Sequence, residues 1–297
     1  RRQRQMCIRD RASNEPLYVI DGFIGAGDLN LIDPNDIESI EILKDAAATS
    51  IYGSRGANGV IIVTTKRGSE GRNDVTVNAY VGVQQIAKRL EMLNAREYAV
   101  MLNQQDVLSN QEPSIENPSV YGKGTDWQDE ILRLAFMQNY QVAASGGNKD
   151  GRYYLSLSMF DQDGVIKNSG IRRYQTRLNL DRKMRHNINI GANFQFSYTQ
   201  REPNLVSLGG FDYQSSALAT PPTMNIYNED GSYASDSPSR VVSNDIDNVV
   251  AQLNERKKQE KAASIYAGIF AEWEAIKDLK FKTFLGLNAG TNLSLIH

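Results

Sequence analysis

Leu43-Lys-Asp-Ala-Ala-Ala-Thr-Ser-Ile-Tyr-Gly-Ser-Arg-Gly-Ala-Asn-Gly-Val-Ile-Ile-Val-Thr-Thr-Lys66 decides the reading of this chain. Ala46 to Tyr52 has the propensity of a short helix, and Gly53 is placed to end it. Val60 to Thr65 reads as a strand with both faces buried. Gly53, Gly56 and Gly59 fall between them. Phosphate-cradling loops run strand, glycine loop, helix, which puts the anion at a helix N-terminus. The order here is the reverse, so the glycines serve a tight reversal where backbones pack closely.

Working outward, Leu17-Tyr-Val-Ile20 followed by Asp21-Gly22 is a short strand entering a turn. Asp33-Pro-Asn-Asp36 is a turn or a single helical turn, with Pro34 suited to its first position. Ile37 to Leu43 fits helix and strand spacing alike, and its β-branched content favours strand.

A different pattern begins at Val75. Val75, Val77, Ala79, Val81 and Val83 share one face, against Thr76, Asn78, Tyr80, Gly82 and Gln84. Ile188 to Thr199 and Leu279 to Ala289 repeat the alternation. Strands also fit near 138–145, 153–160, 174–181 and 263–273. These seven candidates have about the length a tilted membrane-crossing strand needs. Their connections alternate between short (146–151, 182–185, 274–278) and long (86–137, 161–173, 200–261). That is the rhythm of an outer-membrane barrel, with short turns periplasmic and long loops extracellular.

Net charge is −2 over 297 residues, which argues against a nucleic-acid binder using a basic face. Mean hydropathy is −0.47, compatible with a barrel because a membrane strand needs apolar residues on one face only. No run approaches the ~20 apolar residues of a spanning helix. A single cysteine, Cys7, rules out an intramolecular disulfide. Of two histidines, His186 falls in a basic turn and His297 at the chain end, so no Ser-His-Asp triad assembles. Asp161-Gln-Asp-Gly164 lacks the later ligands of a calcium loop. The expectation is no enzyme, no catalytic residue, no metal and no cofactor.

Asn94 with Glu97 reads as the capping box of a helix in the first long loop, and Thr125 to Leu134 as a second helix. The third loop carries Phe211, Tyr213, Tyr227 and Tyr233. Exposed aromatics suit stacking on sugar rings or peptide side chains, so these four are the candidate substrate contacts. The alternative is that they pack the loop on itself. The Gly25-Ala-Gly27 turn is a second candidate contact.

Pro16-Leu-Tyr-Val-Ile-Asp-Gly22, Asp36-Ile-Glu-Ser-Ile-Glu-Ile-Leu-Lys-Asp45 and Ile51-Tyr-Gly-Ser-Arg-Gly-Ala-Asn-Gly-Val60 together resemble the plug signature of SusC/RagA-type TonB-dependent transporters. Asp21, Gly22, Lys44, Asp45, Tyr52, Gly53, Arg55, Gly56 and Gly59 carry that likeness. The resemblance implies an α+β plug followed by antiparallel transmembrane β-barrel strands, seven of roughly 22. It implies a Bacteroidota-type outer-membrane importer of oligosaccharides or peptides, its plug gating the lumen. The implied partners are the TonB energising complex, a SusD-like surface lipoprotein and outer-membrane lipid, with no nucleic acid. The alternative is a soluble or surface glycan-binding β-protein without transport. On this reading residues 14–70 are the C-terminal part of the plug and 75–292 the first seven or so strands. Segments 1–13 and 293–297 read as non-native or truncated ends.

Overall fold

The computed structural model describes residues 16–24, 29–45, 50–185, 187–203, 213–234, 248–255 and 257–296. Residues 1–13 with Cys7, the Gly25–Gly27 turn, Ala46–Thr49, His186, Phe211 and His297 lie outside the described residues.

Four strands form the first sheet: β1 (Leu17–Ile20), β2 (Phe23–Ile24), β3 (Ile37–Leu43) and β4 (Val60–Thr65), in the order β2-β1-β4-β3. β1 runs parallel to β4 and antiparallel to β2, while β3 pairs antiparallel with β4. A central strand flanked on both sides must be apolar on both faces. Accordingly Val60 and Val63 are fully buried, alongside Leu17, Val19 and Ile20. β3 is an edge strand, and its Ile40 and Ile42 are exposed. Asp33 caps a 3-10 turn at Pro34–Asp36 by accepting from the Asn35 amide at 2.9 Å. The expected helix over Ala46–Tyr52 is corrected in its described part. Ser50–Gly56 is a 3-10 segment kinked at Gly53, whose φ of 62° and ψ of −152° break the helical path. Only a residue without Cβ adopts that conformation freely.

The second sheet is an antiparallel meander of seven strands in chain order: β5 (Asn73–Gln84), β6 (Ala135–Gly147), β7 (Gly151–Asp163), β8 (Gly170–Arg185), β9 (Ile188–Glu202), β10 (Lys258–Ile276) and β11 (Leu279–Ile296). It is not closed, since β5 and β11 are its two edges. All seven expected strands are present, and each is longer than the alternation alone suggested. The excursion expected over 161–173 shrinks to residues 164–169, because Asp161 and Arg172 face each other across the ladder and form a 2.9 Å ion pair. Leu293–Ile296 do not break the strand pattern but continue β11, paired with Lys258–Lys261.

Burial runs opposite to that of a water-soluble sandwich. Val75, Val77, Leu157, Ile269, Leu285 and Leu287 are exposed, whereas Gln141, Ser156, Arg177, Asn179, Asn193 and Ser197 on the other face are buried. An apolar outer surface over a polar interior is stable only where the outer medium is hydrocarbon. Long loops leave one end of the sheet and short turns the other. The first loop carries α1 (Ala95–Leu108) and α2 (Trp127–Ile131), and the third carries α3 (Tyr213–Ala219) and α4 (Val249–Glu255). The capping box on α1 is formed as expected, between Asn94 and Glu97. α2 is shorter than its sequence pattern, since Leu132 leaves the helix to bridge Ile166.

Candidate functional site

The small sheet is seated on the polar inner face of the large one, and two carboxylates make the seat. Asp21 follows β1 directly and Thr65 ends β4, so the β1–β4 pairing brings them together. The Thr65 amide donates to Asp21 Oδ1 at 2.9 Å and its hydroxyl to Oδ2 at 2.7 Å. Arg177, midway along β8, places Nη2 2.5 Å from Asp21 Oδ2 and 2.8 Å from Thr65 Oγ1, while Nη1 donates to Gln195 Oε1 at 2.7 Å. Both charged side chains are almost wholly buried, at 3% and 1% exposure. Next to Arg177, Asn179 donates to Thr65 Oγ1 and to the Lys66 carbonyl. A buried pair of this kind persists only if most of its hydrogen bonds are filled, and here the two sheets fill them jointly, leaving Arg177 Nε and Asn179 Oδ1 without a partner among the described residues.

Asp36 is the second carboxylate. Its Oδ1 accepts from Gln141 Nε2 and the Tyr154 hydroxyl, both at 2.7 Å, and its Oδ2 from Ser156 at 2.8 Å. These donors lie on β6 and β7, and Asn78 of β5 in turn donates to Gln141 Oε1. Between the two seats the Leu31 carbonyl accepts from Gln175 at 2.5 Å and from Gln195. The chain then leaves the small sheet through Arg67, paired with Asp181 at 2.6 Å, and Gly68, where a Cβ would overlap the Gly146 and Tyr153 backbones.

Burial pushes the Asp36 carboxyl up from its ordinary 3.8, against the lowering effect of the Tyr154 and Ser156 hydrogen bonds. A raised value in the seated state means that seating takes up a proton. This contribution is therefore full below pH 3.8 and is lost as pH rises through the raised value. Calorimetric melting of the small sheet should show stabilisation in acid. Asp36→Asn, which keeps an acceptor for Gln141 and Tyr154 and can donate to Ser156, should flatten that dependence. An unchanged pH profile in this variant would assign the effect to another group.

At the other end, the loops pack on one another as a cap. Trp127, Ile131, Leu132, Ala217, Met224, Ala234, Val249, Val250 and Leu253 form one core drawn from the first and third long loops, and Ile166 of the 164–169 turn packs against it. Trp127 Nε1 donates to the Pro221 carbonyl at 2.9 Å, and the Thr125 amide to that of Pro222 at 3.0 Å. Asn248 ties the Ile226 and Ala234 carbonyls to the start of α4. Two clefts open on this cap. One of about 410 Å³ is lined by Tyr98, Tyr121 and Pro221, and one of about 510 Å³ by Met92, Trp127 and Pro222.

The candidate contact residues separate here. Tyr227 and Tyr233 are stacked, with ring centroids 5.1 Å apart. Tyr233 packs on the cap core and its hydroxyl accepts from Asn254 at 2.9 Å, whereas Tyr227 is half exposed. Tyr213 begins α3, and its side chain lies outside the described residues. Of the signature residues, Asp21 is a seat carboxylate and Gly22, at φ 88°, turns the β1–β2 hairpin. Tyr52 packs on Leu17, Val19 and Val60, and Gly59, at φ 95°, opens β4 beside the Leu43 carbonyl. Gly56 is buried, while Lys44, Asp45 and Arg55 are exposed. Sequence reasoning did not single out Asp36, Thr65, Gln141, Tyr154, Ser156 or Arg177. One signal was available for Arg177, a cation in mid-strand on the polar face.

The TonB-dependent Receptor Plug Domain family model matches residues 1–60. TonB-dependent receptor P3 of Formosa agariphila is 36% identical over 283 residues, covering 94% of this chain and 27% of that protein. TonB-dependent receptor SusC of Bacteroides thetaiotaomicron is 36% identical over 234 residues, covering 75% of this chain and 22% of its own length. The chain thus spans about a quarter of the curated relatives it matches. In structure it is similar to the RagAB peptide transporter, with a TM-score of 0.77 at 25% identity over 95% of this chain and 35% of that one.

Proposed function

We propose that this chain, which belongs to the SusC/RagA-type TonB-dependent transporters, supplies part of the plug and the first seven barrel strands of an energised outer-membrane importer. The observation that carries this reading is the seat itself. A small α+β unit is held on the polar inner face of an inside-out sheet by the buried Asp21–Arg177 pair and by Asp36. A gate needs such a contact: it must close a lumen firmly and still be able to leave it. A free-standing glycan-binding β-protein has no use for an apolar outer face.

The cargo class is an oligosaccharide or a peptide. The likeness to SusC and to the RagAB peptide transporter supports import of nutrients of this size. The same likeness supports pairing with a SusD-like lipoprotein over the loop end and energising by TonB at the turn end. The loop cap, with its two clefts and the half-exposed Tyr227, is the surface where cargo is first met. Phe211, Tyr213 and Tyr233 belong to the same loop and are proposed as neighbouring contacts.

Uptake of labelled oligosaccharide and peptide panels by cells carrying the intact transporter tests this reading. One class should enter, and entry should stop when the proton gradient is collapsed or TonB removed. Energy-independent entry, or none of either class, would refute it. Within the accepted class, Tyr213→Ala with Tyr227→Ala should weaken cargo binding, and unchanged affinity would remove those two residues from the contact surface.

A further inference from the structure

The polar seats reach β6, β7, β8 and β9, but the plug also touches β10 and β11, and there the contact is of another kind. The Asp21–Gly22 turn, with both residues at positive φ, delivers the Phe23 ring onto the inner face of these two strands. Gly268 and Gly286 lie directly opposite each other in the β10–β11 ladder. Together they leave a notch without side chains, and a Cβ at Gly286 would overlap the Phe23 ring. Tyr266 stands edge-on to Phe23 at 5.0 Å and Phe284 at 6.4 Å. A glycine within a strand weakens it unless a close approach makes use of the missing side chain, and two facing glycines filled by one ring meet that condition.

We propose that Phe23 is a positioning residue for gating: its ring, seated in the Gly268–Gly286 notch, registers the plug against β10 and β11 in the closed state. This rests on the reading of the chain as a gated importer. The contact itself is apolar, an edge-on ring packing that leaves no charge of its own behind when it separates. It is also shape-specific, because the wall accepts the ring only while Gly286 lacks a Cβ.

The test is entry of a large hydrophilic antibiotic into cells bearing the intact transporter in a strain without TonB, where only leakage is read. Phe23→Ala and Gly286→Val should each raise entry several-fold, and Phe23→Leu should restore most of the seal. Phe23→Ala combined with Gly286→Leu, which refills the notch from the wall side, should leak less than Phe23→Ala alone. Heat-modifiable gel mobility reports whether each barrel is folded. Should Gly286→Val not assemble, the Phe23→Ala and Phe23→Leu pair decides alone. Tight single variants, or a combined variant no better than Phe23→Ala, would overturn the proposal. Failure of the importer reading shows elsewhere, as absence of energised uptake by the unaltered protein.

Discussion

Replacing Arg177 with alanine should unseat the plug more than any other single change on the barrel wall. The guanidinium is the only cation paired with Asp21 among the described residues, and both groups are nearly inaccessible to water. Removing one partner leaves the other as an uncompensated buried charge, which costs about 3–5 kcal/mol. At about 1.4 kcal/mol per tenfold, the unseated population rises on the order of 10²–10³-fold. Thr65 still offers Asp21 two hydrogen bonds, so the plug should loosen rather than unfold. The measurements are calorimetric melting of the plug in purified transporter and antibiotic entry into cells. Asp21→Asn combined with Arg177→Met removes both charges and should recover most of the loss. If Arg177→Ala melts and leaks like the unaltered protein, the pair is not a latch.

Trp127→Ala should have a comparable effect at the opposite end. Trp127 is the largest side chain of the cap core, 3% exposed, and ties the first long loop to the third through Pro221. Truncating a buried Trp typically costs about 3–5 kcal/mol through lost burial and the cavity left behind. Trp127→Phe keeps a ring and loses one hydrogen bond to the Pro221 carbonyl, which still accepts from the Met224 amide at 3.2 Å, so the cost should be about 0.5–1.5 kcal/mol. Limited proteolysis of intact cells should cut the alanine variant fastest within 203–257, the phenylalanine variant at an intermediate rate and the unaltered protein slowest. Equal rates for all three would mean that the loops do not rely on this core.

Much of the architecture was legible because its signals are local. The alternation of Val75 to Val83 follows from the two-residue period of a strand with lipid on one side. Asn94 with Glu97 marked a helix start, since a capping box is complete within four residues. Strand ends were harder to read. Where both faces are polar, as at Asp161-Gln-Asp163, the period disappears, and the strand continues through its ladders to β6 and β8 and the ion pairs to Arg172 and Arg133. The described part of the Ala46–Tyr52 reading departs for the opposite reason: Ser50–Tyr52 belong to a 3-10 segment whose path bends at Gly53.

The pairings that make the seat were not legible. Asp36 and Gln141 are 105 positions apart, and Asp21 and Arg177 are 156 apart, so no window of sequence contains both members. By itself the sequence determined a plug-like unit followed by two-faced strands, because propensity, capping and polarity period are properties of neighbouring residues. Only the tertiary structure decided which carboxylate meets which donor and where Phe23 comes to rest. Those contacts depend on the register of each strand against the next and on how the small sheet lies across β6 to β11.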